Sequence, residues 1–168
     1  MINISEKTLK GYKFIDLFAG IGGFNLALSS LGAECVYANE WDKYAKDVYK
    51  SNFSIVPDDD ITKVDENTIP SHDILCAGFP CQAFSISGKQ RGFEDSRGTL
   101  FFDVARIVKA KKPKVVFMEN VKNFEIHDNG NTLSVVKRTM EELGYVFYYK
   151  VLNAVDYGVP QKRERIYM

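Results

Sequence analysis

At the centre of the chain stands Ile74-Leu75-Cys76-Ala77-Gly78-Phe79-Pro80-Cys81-Gln82. Its first four residues form an apolar run that ends in turn residues, which predicts a short buried strand. Pro80 fixes its own φ and restricts Phe79 to extended conformations, so the backbone that enters Cys81 is constrained. Ligands of open α/β sheets bind beyond the carboxyl ends of the strands, where this thiol would lie. Cys81 is therefore a candidate functional residue, although a free cysteine is usually a small buried hydrophobe.

Segments typical of strands and helices alternate on both sides of this run. Strands are predicted at residues 14–18, 34–38, near Asp60-Ile61, at 74–77, 115–118, 145–152 and from 165 onward. The predicted helices have apolar faces formed by Phe24, Ala27, Leu28 and Leu31, by Trp41, Tyr44, Ala45 and Val48, by Phe101, Val104, Ala105 and Val108, and by Leu133, Val136, Met140 and Leu143. Residues 83–99 lack periodicity and are predicted to form a long functional loop. This alternation predicts a doubly wound, Rossmann-type α/β sheet with helices on both faces.

Length and composition are those of one globular domain. The chain has 168 residues, of which 45% are hydrophobic and 26% are charged. No apolar run reaches the ~20 residues of a membrane span, and three sparse cysteines are typical of a reducing cytosol. The net charge is zero, with 22 basic and 22 acidic residues. An autonomous nucleic-acid binder usually carries a basic surplus, so either the substrate is different or part of the binding surface lies elsewhere.

The first βα turn and the acidic residues after the next two strands indicate a nucleoside pocket. The turn Phe18-Ala19-Gly20-Ile21-Gly22-Gly23 lets a ligand approach the backbone, although glycines here could also serve tight helix–strand packing. Glu40 ends the second strand, where an acidic side chain can accept ribose hydroxyls. Trp41 is positioned to stack on an adenine, unless it is a core aromatic, and Asp60 could accept from an exocyclic amine. The turn has no basic residue, which argues against a pyrophosphate ligand.

Glu119 and two arginines are the remaining candidates for chemistry. Glu119 ends the apolar run at 115–118, where poor solvation makes a carboxyl group a candidate proton donor near neutral pH. The alternative is a solvated glutamate at a strand end. Arg163 and Arg165 lie on the same side of an extended segment, so their guanidinium groups could activate a thiol or hold a phosphate.

These motifs together resemble the DNA (cytosine-5) methyltransferase family. The resemblance rests on Phe18-Ala19-Gly20-Ile21-Gly22, Pro80-Cys81-Gln82, Glu119-Asn120-Val121 and Gln161-Lys162-Arg163-Glu164-Arg165, which stand in the family's order and spacing. It covers the whole chain, and residues 88–99 are similar to members from bacterial restriction–modification systems. The fold that it implies is a Rossmann-like class I methyltransferase sheet.

The resemblance implies a covalent mechanism on a cytosine flipped out of double-stranded DNA. Cys81 would add as a thiolate to C6, which makes C5 nucleophilic. Glu119 would hydrogen-bond or protonate N3, and Arg163 and Arg165 would hold the base, sugar or phosphate. C5 would then take the methyl group of S-adenosylmethionine, and loss of its proton would release the cysteine. Residues 83–99 would close over the flipped base.

The resemblance also assigns a binding site for S-adenosylmethionine and its product S-adenosylhomocysteine, and no metal. The residues at the matching positions are Phe18, Ala19, Gly20, Gly22, Gly23, Glu40, Trp41, Asp60, Ile61, Pro80 and Leu100.

Full-length members of the family continue with a target-recognition region and two further motifs, so we expect residues 1–168 to be the amino-terminal part of a cytoplasmic bacterial enzyme. A complementary chain or carboxyl-terminal half would then carry target recognition, and a GCGC-like site is expected only by resemblance. We also expect that an exposed sheet edge favours self-association, which a monomeric profile at every protein concentration would contradict.

Three alternatives remain open. A branch of the same family methylates transfer RNA, and transfer RNA accepting methyl groups would favour it. The chain could instead be a non-catalytic cofactor-binding or regulatory module that docks onto an active partner. A nicotinamide-dependent oxidoreductase shares the acidic residue after the second strand, but the glycine spacing and Pro80-Cys81-Gln82 argue against it.

Overall fold

A six-stranded sheet organises the computed structural model, which describes residues 8–80 and 100–168. Its strands are β1 (Lys13–Leu17), β2 (Glu34–Asn39), β3 (Ile74–Ala77), β4 (Val115–Val121), β5 (Lys150–Asn153) and β6 (Glu164–Tyr167). The α-helices of the described residues are α1 (Gly23–Ser30), α2 (Lys43–Phe53), α3 (Leu100–Lys111) and α4 (Asn131–Glu142). The strand order is β2-β1-β3-β4-β6-β5. β1 to β4 run parallel, whereas β6 runs antiparallel to both β4 and β5.

Helices cover both faces of the sheet, which confirms the doubly wound α/β architecture. On one face, Ile15 and Leu75 pack in a cluster with residues of α3 and α4. On the other face, Phe14 and Cys76 pack against Leu28 of α1. Because β1 and β3 are covered on both sides, residues 14–17 and 74–77 are buried without interruption, and neither run has a face toward solvent.

The strand predicted near Asp60-Ile61 is wrong. The chain there makes only an isolated parallel bridge between Asn39 and Asp58, and it then turns into a 3-10 helix at Ile61–Lys63. The Asp60 carboxylate caps this helix by accepting the backbone N–H and the hydroxyl of Thr62. A run of aspartates favours such local capping over strand pairing because short carboxylate side chains bond neighbouring backbone groups.

The apolar face predicted for the second helix is also wrong, although α2 exists. Trp41 precedes the helix and is 78% exposed, and Tyr44 and Val48 also face solvent. The packed face is instead formed by Tyr49, which is fully buried, and by Phe53, whose ring lies 4.8 Å from that of Tyr49. Helical spacing is compatible with burial of either apolar face of α2. The residues of the sheet that contact the helix determine which face is buried.

The strand predicted at 145–152 is shorter than expected and lies at Lys150–Asn153. Its only neighbour in the described sheet, β6, pairs with it from Tyr167 opposite Lys150 to Glu164 opposite Asn153. Residues 145–149 have no strand to pair with, so they remain irregular, and the Tyr145 hydroxyl bonds the Pro113 carbonyl instead.

Two predictions lie outside the described residues, namely the nucleophile Cys81 and the loop at 83–99. Within the described ranges, the helices are too short or too polar to cross a lipid bilayer.

Candidate active site

The carboxyl ends of β1, β3 and β4 meet at one edge of the sheet. A Cβ atom built on Gly78, just after β3, would lie 3.8 Å from both Glu119 Oε2 and the Phe18 carbonyl oxygen. β4 extends beyond the end of β3, because their pairing stops at Ala77 opposite Met118. Glu119 therefore stands over the backbone that leads into Cys81, as the sequence predicted for two adjacent strands.

Glu119 is held by both predicted arginines. Its Oε1 atom lies 3.0 Å from Arg165 Nε and 3.9 Å from an Arg163 Nη atom. The carboxylate is 21% exposed and Arg165 is 22% exposed, whereas Arg163 is 50% exposed. The two arginines do lie on the same side of β6 and its lead-in, which confirms the prediction from the extended spacing. The site is thus a partly buried carboxyl group next to two permanent cations.

Asn120 fixes the turn that precedes the predicted nucleophile, a role that the sequence analysis missed. Its side chain is buried, and its Nδ2 atom donates to the Phe79 carbonyl at 2.8 Å. Its Oδ1 atom accepts the Val121 N–H at 2.9 Å. The available signal in the sequence was an asparagine directly after Glu119 at the end of an apolar run. A side-chain amide that is buried there needs hydrogen-bond partners.

The glycine turn after β1 is tied to the end of β2 by Glu40. Glu40 Oε2 accepts the Gly20 N–H at 2.8 Å, and its Oε1 accepts the Asp42 N–H at 2.8 Å. Ala19 N–H bonds the Asn39 carbonyl at 2.9 Å. Each carboxylate oxygen keeps a further lone pair, so Glu40 can still accept from a ligand while it orders the turn.

The glycines of this turn differ in their surroundings. A Cβ added at Gly20 or Gly23 would meet no atom within 4 Å, so the backbone is open to a ligand there. Gly22 has a φ of +96° and packs against the Phe53 ring. Packing against Phe53 of α2 therefore explains Gly22, and a left-handed φ of +55° explains Gly20, whereas the space beside Gly20 and Gly23 is open to a ligand.

A buried polar cluster lies directly behind the turn. Asp16 of β1 is fully buried, and its Oδ2 atom accepts the Tyr49 hydroxyl at 3.4 Å. Tyr49 in turn accepts a hydrogen bond of 2.7 Å from Asn25 Nδ2 of α1. The Oδ1 atom of Asp16 has no hydrogen-bond partner among the described residues. Burial raises the pKa of the Asp16 carboxyl to about 8, and the nearby Glu40 charge acts in the same direction.

The signal for this cluster was present in the sequence. An aspartate inside the apolar run Phe14-Ile15-Asp16-Leu17-Phe18 is unusual, because aspartate is rarely fully buried without a partner.

The other predicted cofactor contacts lie in the segments after β2, α2 and β3 and at the start of α3. Trp41 is exposed, which excludes the core-aromatic interpretation. Asp60 caps the turn at Ile61–Lys63, and hydrogen bonds from Thr62 lower the pKa of Asp60. Ile61 is buried, Leu100 is the first residue of α3, and Pro80 is the last described residue before Cys81.

The structure therefore brings together Phe18, Gly78, Glu119 and the two arginines at one edge, with the glycine turn tied to Glu40. In the described residues, no group of His, Cys, Asp and Glu side chains could hold a metal ion.

Comparisons with known proteins place these features in a wider group. Residues 12–168 match the family described as C-5 cytosine-specific DNA methylase. The chain is 76% identical over 168 residues to the Type II methyltransferase M.HhaI of Haemophilus parahaemolyticus, covering all of this chain and 51% of that protein. It is 56% identical over 157 residues to the Type II methyltransferase M.NgoBI of Neisseria gonorrhoeae, covering 94% of this chain and 50% of that protein.

A solved structure shares the fold. A mutant of DNMT2 from Spodoptera frugiperda superposes with a TM-score of 0.73 at 28% identity, covering 94% of this chain and 49% of that one. The chain thus spans about half the length of the relatives that it matches.

Proposed function

The chain belongs to the C-5 cytosine-specific DNA methylase family, and from this premise we propose that it forms the catalytic and cofactor-binding part of a DNA (cytosine-5) methyltransferase. The observation that carries the proposal is the convergence of Glu119, Arg163 and Arg165 beside the turn that leads into Cys81. Addition of a thiolate to a cytosine ring requires stabilisation of the charge that develops on the ring, which a carboxyl group held by two cations can provide.

S-adenosylmethionine fits the residues at the adjoining strand ends. The open space beside Gly20 and Gly23 leaves room for its amino-acid end, and Glu40 has acceptor capacity for a ribose. The exposed Trp41 offers a face for the adenine. The remaining proposed contacts are Phe18, Ala19, Gly22, Asp60, Ile61, Pro80 and Leu100. When bound, the cofactor supplies the methyl group that C5 receives.

The protein's own residues prepare the cytosine and restore it afterwards. The Cys81 thiolate forms a bond to C6, and the displaced electron pair makes C5 nucleophilic. Glu119 donates to or protonates N3 and so offsets the charge that develops in the ring. After methylation, C5 loses its proton to a base, the C6–S bond breaks and the thiolate is released.

The arginines have two tasks in this proposal. Arg165, at 3.0 Å, fixes the orientation of Glu119. Arg163 is half exposed and holds Glu119 less closely, so its guanidinium is free to turn toward a nucleotide phosphate.

We further propose that target recognition comes from outside these 168 residues, in a restriction–modification system. The chain covers about half of its relatives and carries no net charge, so a complementary segment or partner would supply the basic DNA-facing surface.

The proposal is tested by covalent capture. The chain, alone and mixed with the complementary half of a relative, is incubated with S-adenosylmethionine and a GCGC duplex that carries 5-fluorocytosine. C5 of this base has no proton to lose, so we expect a denaturation-resistant protein–DNA adduct in the mixture. Capture by transfer RNA and not by duplex DNA would identify the alternative substrate, and absence of any adduct would contradict the covalent step.

Two substitutions separate chemistry from cofactor binding. The double variant Cys81→Ser with Glu119→Gln should form no adduct and transfer no methyl groups, because it lacks the nucleophile and the N3 donor. Its affinity for S-adenosylmethionine should stay within about threefold of that of the wild type, since neither side chain is among the proposed cofactor contacts. Loss of cofactor binding in this variant would count against the assignments.

A further inference from the structure

Arg106 of α3 connects this helix to the irregular segment that follows the bridge at Asp58. Its side chain is 24% exposed. The guanidinium donates to the Ile61 carbonyl at 2.6 Å through Nη2 and to the Val64 carbonyl at 2.9 Å through Nη1. It also pairs with Glu66 at 2.6 Å and, through Nε, with Asp103 at 2.9 Å. One side chain thus bonds four acceptors on two parts of the fold.

Apolar packing and side-chain hydrogen bonds together hold this segment, since Ile61 is buried in the main core and Val64 packs against it. Its backbone bonds are local, from Lys63 N–H to the Asp60 carbonyl and from Val64 N–H to the Ile61 carbonyl. At its far end, the Lys111 side chain bonds the Asn67 carbonyl. Apolar packing does not satisfy the carbonyl groups of a segment without strand pairing, so the Arg106 bonds add directional contacts that fix its backbone.

Two proposed cofactor contacts lie on this segment and a third lies on the helix. Asp60 and Ile61 precede and begin the 3-10 turn, and Leu100 begins α3. The Ile61 carbonyl that Arg106 holds therefore belongs to a residue of the proposed pocket. α3 also follows directly on residues 83–99, so its amino end borders the segment after Cys81.

We propose that Arg106 is a positioning residue that sets the adenosine end of the cofactor pocket. By bonding the Ile61 and Val64 carbonyls, it fixes Asp60 and Ile61 relative to Leu100. A planar guanidinium reaches several acceptors at once, which a lysine ammonium cannot do. This inference rests on the proposed function, because it takes S-adenosylmethionine as the ligand of these residues.

The test compares Arg106→Gln and Arg106→Lys with the wild type by calorimetric titration. S-adenosylmethionine and S-adenosylhomocysteine share the adenosine end, so we expect both dissociation constants to rise by roughly ten- to a hundredfold. Their ratio should stay at the wild-type value, because the proposed role of Arg106 concerns only the adenosine end that the two compounds share. The fluorescence of Trp41, the chain's single tryptophan, gives a second binding signal.

Two controls distinguish positioning from general stability. Val136→Ala removes a fully buried side chain of α4 and should lower the melting temperature while leaving both dissociation constants unchanged. Arg138→Gln removes an exposed arginine of the same helix, whose carboxylate partner lies 3.9 Å away, and should change neither quantity.

The outcomes separate the two proposals. If the folded wild type binds neither compound, the cofactor assignment fails, and this inference fails with it. If the wild type binds and both Arg106 variants bind equally well, the cofactor assignment stands and the positioning role is overturned. If Val136→Ala weakens binding as much as Arg106→Lys does, the effect is one of stability alone, which also overturns it.

Discussion

Replacing Gly22 by alanine should destabilise the protein by about 2–4 kcal/mol, the largest effect that we expect from adding one methyl group. Two penalties combine at this position. The φ of +96° is unfavourable for any residue with a Cβ, and the new methyl group would overlap the Phe53 ring, with Cζ only 2.8 Å away. Phe53 cannot easily move because its ring packs on Tyr49, which is fully buried.

Two other glycines provide matched controls in urea unfolding. Gly144 has a φ of +91° but no neighbour within 4 Å, so Gly144→Ala should incur only the backbone penalty of about 1–2 kcal/mol. Gly23 begins α1 and has neither restriction, so Gly23→Ala should keep or slightly raise stability. Equal losses for Gly22→Ala and Gly144→Ala would show that the Phe53 ring gives way.

Asp16 should make the protein less stable as the pH rises toward neutrality. Its pKa is raised to about 8 by burial, whereas that of an unfolded aspartate is about 3.9. Between these values the folded protein keeps a proton that the unfolded chain has lost. The stabilisation is therefore complete below about pH 4 and is lost progressively up to about pH 8, at about 1.4 kcal/mol per pH unit.

Comparison with Asp16→Asn isolates this contribution. The amide cannot ionise, so the unfolding free energy of the variant relative to that of the wild type should rise by about 3 kcal/mol between pH 5 and pH 7. Cys35 does not interfere in this range, because burial raises its pKa to about 11. Asp47→Asn, at an exposed position of α2, should show no such trend. Parallel pH curves for the wild type and Asp16→Asn would contradict a neutral buried carboxyl.

The parallel core of the fold was predictable because its strands are largely apolar and the central strand β3 is fully buried. Continuous apolar runs such as those at 74–77 and 115–118 leave little choice of structure, and the helices α3 and α4 have apolar residues at unbroken helical spacing. The prediction of a strand near Asp60 failed because capping of the local backbone by a carboxylate competes with strand pairing. The prediction of the packed face of α2 failed because the helix has two apolar faces. Which of them is buried depends on the residues of the sheet that it packs against.

The site was predictable where the residues lie at strand ends. Glu119 and the two arginines converge because β4 and β6 are neighbouring strands. The positions of these residues relative to the predicted strands were therefore enough to predict the site. Asn120 and Arg106 act through bonds to carbonyl groups 41 and 45 residues away. No local pattern encodes such contacts, because backbone carbonyls have no sequence signature.

Calorimetric titration of the chain with S-adenosylmethionine, repeated with Trp41→Ala, tests most directly whether this chain carries the cofactor site of a methyltransferase. We expect micromolar binding to the wild type, weakened about tenfold or more by loss of the indole face. Trp41 is exposed, so the substitution should not alter stability. Absence of binding by a chain that circular dichroism shows to be folded, or equal binding by Trp41→Ala, would contradict the proposed pocket.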